Sequence, residues 1–462
     1  MNKPRIVIIG AGSHFTLGLF GDFYRVNDLW GSELVLMDID DERLNLMNKI
    51  IEKVVEKRKL DIKVRATSNL KEALENADFV IVTIRVGGLK ALKEIIEIPL
   101  RLGTVEIVGD TVGPSGVLKG MLEIPAILNI AQNMKDVAPN ALMINFTNPM
   151  TPICRGVRKS TDVRIIGLCH GFNQIRRLAS NIPMHPSYSM EKLDVEAAGI
   201  NHLTWTLDIR YGDKSVYEEF QKGLLEGSKE TMAKYRYLIG RELYRVFKIP
   251  PTLNDRHTSE FFHYLYDWID DPNYGPILKE ESGYIDYENK TLRKEVIENE
   301  ENRMQRLVRM ADGLEEIDTV PSGEYAFDII SAMENDRKMD LLAVNMPNSG
   351  IINGIPSEHV VEVPAEVSKH GLRPIKNFQL PRAITSVLNR HLDKFETMVD
   401  GILEGDKDLI VQAIALDPLT PSPEKAEKIF DLFIKTAQLK AIKSRLSGFH
   451  QTWRIREKSP SI

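Results

Sequence analysis

Short apolar segments alternate with longer amphipathic ones through the first 200 residues of the chain. Six of the short segments are rich in Val and Ile and flanked by Gly, Pro, Asn or Asp, the pattern of buried strands. They span residues 5–9, 33–38, 62–66, 79–84, 141–145 and 163–168. Segments of helical length lie between them, such as residues 41–59 and 117–137. This alternation predicts an α/β fold with a doubly wound parallel sheet and right-handed crossovers.

The alternation loosens beyond about residue 195. Two strand-like stretches precede long charged segments with the apolar spacing of amphipathic helices. The strands are predicted at residues 193–198 and 203–209, and the helices at residues 292–310 and 423–439. Stretches that contain Pro are interpreted as loops, near residues 346–356, 364–381 and 417–423. We therefore predict two domains, a doubly wound one over residues 1–195 and an α+β one over residues 196–462.

Composition narrows the classes of protein that fit. The 462 residues are 43% hydrophobic and 27% charged, which is typical of a soluble globular protein. The net charge of −6 and the lack of a basic run argue against nucleic-acid binding. No apolar run is long enough for a membrane span or a signal peptide. With two cysteines, a disulfide framework is excluded, and a reducing, cytoplasmic setting is expected.

A glycine turn follows the first predicted strand. Gly10 allows a tight turn, and Gly12 lets the backbone approach a pyrophosphate that would sit on the helix beginning near Ser13. Phe15 stands where the third glycine of a dinucleotide fingerprint is expected, so a purely structural turn is the alternative. Asp38, at the end of the second strand, favours the dinucleotide, because its carboxylate can accept from a ribose 2′-hydroxyl and repels a 2′-phosphate. NAD is thus favoured over NADP.

Cys169 and His202 are candidate metal ligands. Cys169 ends the sixth strand in the string Gly-Leu-Cys-His-Gly-Phe, and His202 closes Gly-Ile-Asn-His. A buried cysteine is more often a small core residue, as we interpret Cys154, and His202 could be an ordinary histidine at a strand start. The polar residues after Cys169 favour a site. A thiolate and an imidazole suit a divalent first-row ion and leave positions open for substrate oxygens, and softness alone favours zinc.

Two further strings bring charged side chains to loops. Asp110 lies in the glycine-rich string Gly-Asp-Thr-Val-Gly-Pro-Ser-Gly ahead of a predicted helix. Asp255, Arg256 and His257 follow Asn254, just ahead of an aromatic segment at residues 261–268 that we predict to be helical. A simpler interpretation of the second string is a helix cap, with Asp255 or Thr258 capping that helix.

Taken in order, these strings resemble glycoside hydrolase family 4 over essentially the whole chain. The glycine turn, the Asp110 loop, Asn-Phe-Thr-Asn-Pro at 145–149, the Cys-His and Asn-His pairs and the Asn-Asp-Arg-His string all take part in the resemblance. Two later strings, at residues 345–356 and 360–367, complete it. The resemblance implies a Rossmann domain followed by an α+β domain, as in lactate and malate dehydrogenases. The Cys-His-Gly-Phe variant is similar to the pattern of α-glucuronidases, and other strings resemble α-galacturonidases.

The resemblance also implies cofactors and a redox-neutral mechanism. NAD would oxidise the sugar C3 hydroxyl, a base would remove the acidified C2 proton, and the glycosidic oxygen would be eliminated from C1. Water and the same hydride would then add back. The implied metal is Mn²⁺, acting as Lewis acid and template for the C2 and C3 oxygens, and it replaces zinc as our expectation. The expected substrates are small α-linked uronides or oligosaccharides, cleaved in exo fashion.

The resemblance assigns roles residue by residue. Asp255 is the expected base at C2, and His170 is the expected acid, with Asp110 as the alternative. Cys169 and His202 would ligate the metal. The remaining implied contacts divide between NAD, at Gly10, Gly12, Ser13, Asp38 and Asn145, and the sugar, at Asn148, Asn201, Arg256 and His257. Arg256 can pair with a C6 carboxylate in bidentate fashion.

Three alternative functions stay open. An α-glucosidase or α-galactosidase of the same family would act on neutral sugars. A 2-hydroxyacid dehydrogenase would share the fold, with Asn148 and His170 in its site, but would release NADH. A redox-sensing regulator that binds NAD would need a DNA-binding module, and none is visible. The family resemblance further implies a homodimer or homotetramer.

Overall fold

Six parallel strands form the first half of the sheet. The computed structural model describes residues 3–169, 171, 173–181 and 188–436. The parallel strands follow the order β3-β2-β1-β4-β5-β6, and their bounds are β1 Arg5–Ile9, β2 Glu33–Met37, β3 Lys63–Thr67, β4 Phe79–Val82, β5 Leu142–Asn145 and β6 Arg164–Gly167. This is the strand order of a Rossmann fold. The predicted strands are therefore confirmed, with ends that differ by one or two residues.

Helices connect these strands and cover the faces of the sheet. They are α1 Phe15–Arg25, α2 Asp41–Arg58, α3 Leu70–Leu74, α4 Gly88–Arg101, α5 Gly113–Val137, α6 Met150–Ser160 and α7 Asn173–Asn181. Helix α2 begins at an aspartate cap, because the Asp40 carboxylate accepts from the Arg43 N–H. Helix α5 begins four residues before the predicted start at 117, since Pro114 in the first turn needs no N–H partner there.

An antiparallel extension continues the same sheet beyond β6. Its strands are β7 Leu193–Ile200, β8 Leu203–Tyr211, β9 Lys214–Ser215, β12 Met339–Pro347, β13 Val360–Ser368 and β14 Gly371–Pro374. The order after β6 is β12-β13-β7-β8-β9, and β14 pairs with β13. A small separate sheet pairs β10 Ile285–Asp286 with β11 Thr291–Leu292.

The loop predicted over residues 364–381 is wrong for its first part, because β13 and β14 occupy residues 360–368 and 371–374. Pro364 suggested a loop, since Pro cannot donate to a strand ladder. In the structure the register between β12 and β13 shifts between Leu341 and Val344, directly opposite Pro364. A bulge at this point removes the need for a proline N–H.

The remaining helices pack on both halves of the fold. They are α8 Tyr217–Glu226, α9 Lys229–Lys234, α10 Leu238–Phe247, α11 Asp255–Thr258, α12 Leu265–Asp270, α13 Gly275–Glu281, α14 Lys294–Asp312, α15 Ala326–Glu334, α16 Arg382–Glu404, α17 Lys407–Leu416 and α18 Pro423–Phe433. The helix predicted over residues 261–268 is wrong for residues 261–264 and confirmed for residues 265–268, which lie in α12. Phe262 is extended, with φ −128° and ψ 136°, and separates a single 3₁₀ turn from α12. The predicted helix 423–439 ends at Phe433 within the described residues.

One large apolar core runs through both halves of the sheet, and Asn345 of β12 pairs with Gly167 of β6 where they join. The predicted division at residue 195 falls within β7 and stays a prediction. None of the helices in the described part of the chain is long and apolar enough to cross a bilayer. The fold brings the carboxyl ends of the parallel strands next to the turn between β7 and β8.

Candidate active site

His202 lies in a tight turn between two buried strands. Ile200 pairs with Leu203, so Asn201 and His202 alone connect β7 to β8. His202 has φ +67°, in the left-handed region that side chains other than Gly seldom adopt. The histidine is buried, with a relative exposure of 4%. Two-residue hairpin turns commonly need positive φ, so the turn itself accounts for this conformation.

Asp110 and His257 meet His202 from two other segments. Asp110 lies in the loop before α5, and His257 lies in α11. One donor atom from each of the three side chains lies within 4.8 Å of the others. The two imidazole rings are 4.2 Å apart between centroids and inclined at 43°. The 4.8 Å limit on the donor-atom distances is close to the spacing of about 3–4.5 Å between ligand atoms of one divalent ion. We call these three residues the Asp110 cluster.

Thr111 bridges two members of the Asp110 cluster. Its hydroxyl donates to Asp110 Oδ1 at 2.7 Å and lies 3.0 Å from Nδ1 of His202. Since the single hydroxyl proton goes to the carboxylate, Nδ1 of His202 must be the donor to Thr111. In the neutral imidazole the Nε2 atom is then the unprotonated one, which is the form in which a histidine can ligate a metal while its other ring nitrogen donates to a neighbour.

The electrostatics of the Asp110 cluster keep its carboxylate ionised. Burial alone would raise the pKa of Asp110, but the positive charges that His202 and His257 carry when protonated outweigh it and lower this pKa to about 2. Asn148 donates to the other carboxylate oxygen at 3.1 Å. Asn148, predicted to contact the sugar, therefore contacts Asp110 in this structure. An ionised carboxylate between two imidazoles suits a metal ligand better than a proton donor.

Cys169 lies outside the Asp110 cluster, against Asn201 and Glu362. Desolvation by the surrounding protein and the Glu362 carboxylate raise the pKa of the Cys169 thiol well above its ordinary range. The Asn201 side chain lies beside this thiol and donates to Glu362 Oε1 at 3.2 Å. Asn345 donates to the same oxygen at 2.7 Å. A thiolate at this position needs a cation to compensate it, which a metal ion on the neighbouring His202 would provide.

Asp255 is held by the start of another helix. Its carboxylate oxygens accept from the backbone N–H of Leu238 at 2.6 Å and of Gly240 at 2.9 Å. Burial raises the pKa of Asp255 to about 6, and these N–H groups oppose the rise. The prediction that Asp255 caps a helix over 261–268 is wrong, because it binds the first turn of α10, which precedes it in the chain. Its role as a base stays a prediction.

Arg256 lies beside a buried carboxylate that the sequence analysis missed. Glu281, at the end of α13, is 4% exposed and lies 3.9 Å from Nε of Arg236. Burial and the neighbouring Asp255 raise its pKa to about 8, against the opposing charges of Arg236 and Arg256. Arg256 itself is partly exposed. A guanidinium at this position can face a ligand while the carboxylates behind it limit the net positive charge.

We expect Glu281→Gln to stabilise the protein more at pH 8 than at pH 5. The ordinary pKa of 4.5 is raised to about 8 in the folded state, so the folded protein holds a proton that the unfolded chain releases. The carboxyl group therefore costs stability as the pH rises from about 4.5 to 8, on the order of a few kcal/mol. Guanidinium unfolding at both pH values measures the difference. Glu280→Gln, at the exposed neighbouring position, is the control. An equal effect of Glu281→Gln at pH 5 and pH 8 would contradict this expectation.

The glycine turn after β1 has the geometry of a dinucleotide cradle. Gly10 has φ +88°, and a Cβ there would lie 2.3 Å from the Thr83 carbonyl oxygen. A Cβ on Gly12 would lie 2.7 Å from Cβ of Arg43 and 2.9 Å from Oδ2 of Asp38. That Asp38 oxygen accepts from the Gly12 N–H at 2.8 Å. Carboxylate oxygens have further lone pairs for a ribose hydroxyl, so these residues fit NAD.

The other predicted cofactor-binding and site residues either contact the protein itself or lie outside the described residues. The Ser13 hydroxyl accepts from the Phe15 N–H at the start of α1, at 3.2 Å. Asn145 is buried, and its side chain both donates to and accepts from the backbone of Thr147, so it shapes the turn after β5. His170, the predicted acid, lies outside the described residues. Lys119, which was not among the predicted site residues, lies near Asp110 and pairs with Glu123 at 3.0 Å.

Two family models together match most of the chain. Residues 5–182 match the model described as family 4 glycosyl hydrolase, and residues 197–420 match that of its C-terminal domain. An α-galactosidase of Rhizobium meliloti is 30% identical over 94% of this chain and 87% of its own length. An α-galacturonidase of Thermoanaerobacterium saccharolyticum is also 30% identical, over 92% of this chain and 94% of its own.

Solved structures share the fold. A 6-phospho-α-glucosidase from gut microorganisms, in complex with NAD and Mn²⁺, has a TM-score of 0.77 at 21% identity. The match covers 94% of this chain and 98% of the other. A malate dehydrogenase from Plasmodium falciparum has a TM-score of 0.51 at 13% identity, over 88% and 99% of the two chains. The predicted Rossmann fold of the dehydrogenase type is confirmed.

Proposed function

We propose that this chain, which belongs to the family 4 glycosyl hydrolases, is an NAD- and Mn²⁺-dependent glycosidase that cleaves α-linked uronic acids. The observation that carries the proposal is the Asp110 cluster, a set of divalent-metal donors at the edge of the sheet where the dinucleotide strands end. A dinucleotide cradle and a metal-binding cluster on one sheet are unusual in a hydrolase. They fit a hydrolysis that passes through an oxidised sugar.

The assignment of the cofactors rests on the chain's own residues. Gly10, Gly12 and Asp38 would hold NAD, because no side chain fits at Gly12 and the carboxylate lies beside it. Relatives with this fold, such as the 6-phospho-α-glucosidase, were crystallised with NAD and Mn²⁺. When bound, NAD would supply reversible oxidation of the sugar, and Mn²⁺ would act as a Lewis acid on its hydroxyl groups.

His202 would be the central metal ligand. Cys169 is the partner implied by the family resemblance, and Asp110 and His257 are the partners that lie close enough in the Asp110 cluster. Asp110 would then hold the metal and not serve as the proton donor. His257, first assigned to the sugar, would also be a ligand. Manganese binding by Cys169→Ala and His257→Gln distinguishes the two sets.

The chain's other residues would orient the sugar and move protons. Asp255 would take the proton from C2, and His170 would protonate the leaving oxygen. Asn148, which donates to Asp110, would orient the carboxylate and the sugar together. Asn201 is held by Glu362 beside the thiol of Cys169. The side-chain oxygen Oδ1 of Asn201 remains available to a sugar hydroxyl.

Uronate specificity rests on Arg256. This arginine is partly exposed, and it follows Asp255 and precedes His257 on α11. The guanidinium can form two parallel hydrogen bonds to a planar carboxylate. Relatives named α-galacturonidase support an acidic sugar, and a relative named α-galactosidase supports a neutral one. The substrate panel below distinguishes these two possibilities.

The direct test is a panel of chromogenic α-glycosides assayed with NAD, Mn²⁺ and a thiol reductant. The panel contains glucuronide, galacturonide, glucoside, galactoside and 6-phosphoglucoside. We expect the highest kcat/KM on a uronide, no net NADH, and deuterium at C2 of the product formed in heavy water. Net NADH release would indicate a dehydrogenase instead. Product without deuterium would contradict the redox mechanism, and a preference for the galactoside would contradict the uronate assignment.

Arg256→Ala should reduce kcat/KM on the preferred α-uronide by about 10²-fold or more. Removing the guanidinium leaves the sugar carboxylate buried without a partner, which costs roughly 2–5 kcal/mol. The matching neutral α-glycoside should lose little, because its C6 hydroxyl makes no ion pair. The measurement is kcat/KM on both substrates, with Arg245→Ala, at an exposed side chain near the end of α10, as the control. Equal losses on both substrates would mean that Arg256 supports Asp255 and not the sugar.

A further inference from the structure

The loop that carries Asp110 is fixed by a carboxylate from another part of the chain. Oε1 of Glu260 accepts from three consecutive backbone N–H groups, of Ile107 at 2.7 Å, Val108 at 2.8 Å and Gly109 at 3.0 Å. Glu260 is 1% exposed. Successive N–H groups directed at one point form an anion-binding nest, and here the anion is part of the protein itself.

Glu260 belongs to the same short segment as His257. Glu260 follows His257 by three positions and lies in the 3₁₀ turn after α11. The segment therefore supplies one member of the Asp110 cluster and, through Glu260, fixes the residue directly before Asp110. Gly109 tolerates no side chain, because it has φ +65° and a Cβ there would lie 2.8 Å from Cδ1 of Ile96.

A second buried carboxylate fixes the far side of the same loop. Oδ2 of Asp417 accepts from the Gly113 N–H at 2.9 Å and pairs with Nζ of Lys394 at 2.6 Å. Lys394 and Asp417 are both fully buried. Since this end is held independently, losing the Glu260 contact would release residues 107–109 without freeing the start of α5. The expected consequence is a displaced Asp110 in a protein that stays folded.

We propose that Glu260 is a positioning residue that holds Asp110 at metal-binding distance from His202 and His257. It touches neither the sugar nor the metal, and it acts through the backbone of residues 107–109. The inference rests on the proposed metal centre, so the test reads metal binding directly. It predicts that the length and the charge of the Glu260 side chain, which together allow the three N–H contacts, affect Mn²⁺ affinity more than they affect NAD affinity.

The test uses the full chain, stripped of metal and titrated with Mn²⁺, with free Mn²⁺ followed by electron paramagnetic resonance. Glu260→Gln is expected to weaken Mn²⁺ binding by about 10-fold or more, in the range found when residues that orient metal ligands are removed. NAD affinity, measured by calorimetry, should stay within about twofold. Glu97→Gln is the matched control. Glu97 is also a buried glutamate, and it accepts hydrogen bonds from Thr291 and Leu292 in a part of the protein outside the Asp110 cluster.

The outcomes separate the inference from the proposed function. If Glu260→Gln lowers the Tm like Glu97→Gln but leaves Mn²⁺ affinity unchanged, while His202→Asn abolishes binding, the positioning role is wrong and the metal centre stands. If neither Glu260→Gln nor His202→Asn affects Mn²⁺ binding, both are wrong. Should Glu260→Gln fail to fold, Glu260→Asp keeps the charge but shortens the reach. It should show the same loss of Mn²⁺ affinity, and unchanged affinity in that variant would overturn the inference.

Discussion

His202→Asn is expected to abolish Mn²⁺ binding and to lower kcat/KM by about 10³-fold or more, while NAD affinity stays within about twofold. A metal ion acting as a Lewis acid contributes several kcal/mol to the rate, and each 1.4 kcal/mol is about tenfold. Asn is chosen because it tolerates the left-handed conformation that His202 adopts at φ +67°. The turn between β7 and β8 should therefore survive the loss of the imidazole.

Three measurements check this expectation: bound manganese by elemental analysis, kcat/KM on the best α-glycoside, and the Tm. His359→Asn is the matched control, because His359 is also a buried histidine, 5% exposed, but lies next to Glu396 on α16. It should keep full manganese content and activity. Undiminished manganese in His202→Asn would remove the metal centre from the Asp110 cluster and from Cys169 together.

The parallel half of the fold could be predicted because its signals are local. The strands other than β3 are short, mostly apolar runs with turn residues at their ends, and Gly10, Gly12 and Asp38 follow two of them directly. The edge strand β3 is the exception, because its residues are exposed or half-buried. Burial on both faces of a parallel sheet makes the runs nearly continuous. The antiparallel half was harder, since Pro364 is tolerated in β13 through a bulge on β12, a strand that lies about 20 residues earlier.

The members of the candidate site were identified from the sequence, but their partners were not. Asp110, His202 and His257 each stand in a distinctive string, yet their strings lie 92 and 55 residues apart. Nothing local indicated that they meet, nor that Cys169 lies beside Glu362. In the sequence, the supporting carboxylates Glu260 and Glu281 look like ordinary polar residues. Their importance comes from burial and long-range contacts, which only the structure shows.

Asp255 provides the clearest case of one side chain with two roles. Its carboxylate holds the first turn of α10 through Leu238 and Gly240, and in the proposed reaction it removes the proton from C2. Asp255→Ala should therefore lower kcat by about 10²–10⁴-fold, the usual contribution of a general base. It should also lower the free energy of unfolding by about 1–3 kcal/mol, because buried N–H groups lose their acceptor.

Asp255→Asn separates the two roles, since the amide oxygen still accepts from one N–H but the group cannot act as a base. We expect the Asn variant to recover part of the lost stability and none of the lost kcat. Exchange of the C2 proton with heavy water should be lost in both variants. Asp406→Asn is the control for the cap alone, because Asp406 accepts from two N–H groups at the start of α17, in a different part of the protein. If Asp255→Asn keeps its kcat and its C2 exchange, Asp255 serves only as the cap of α10, and the base must be another residue.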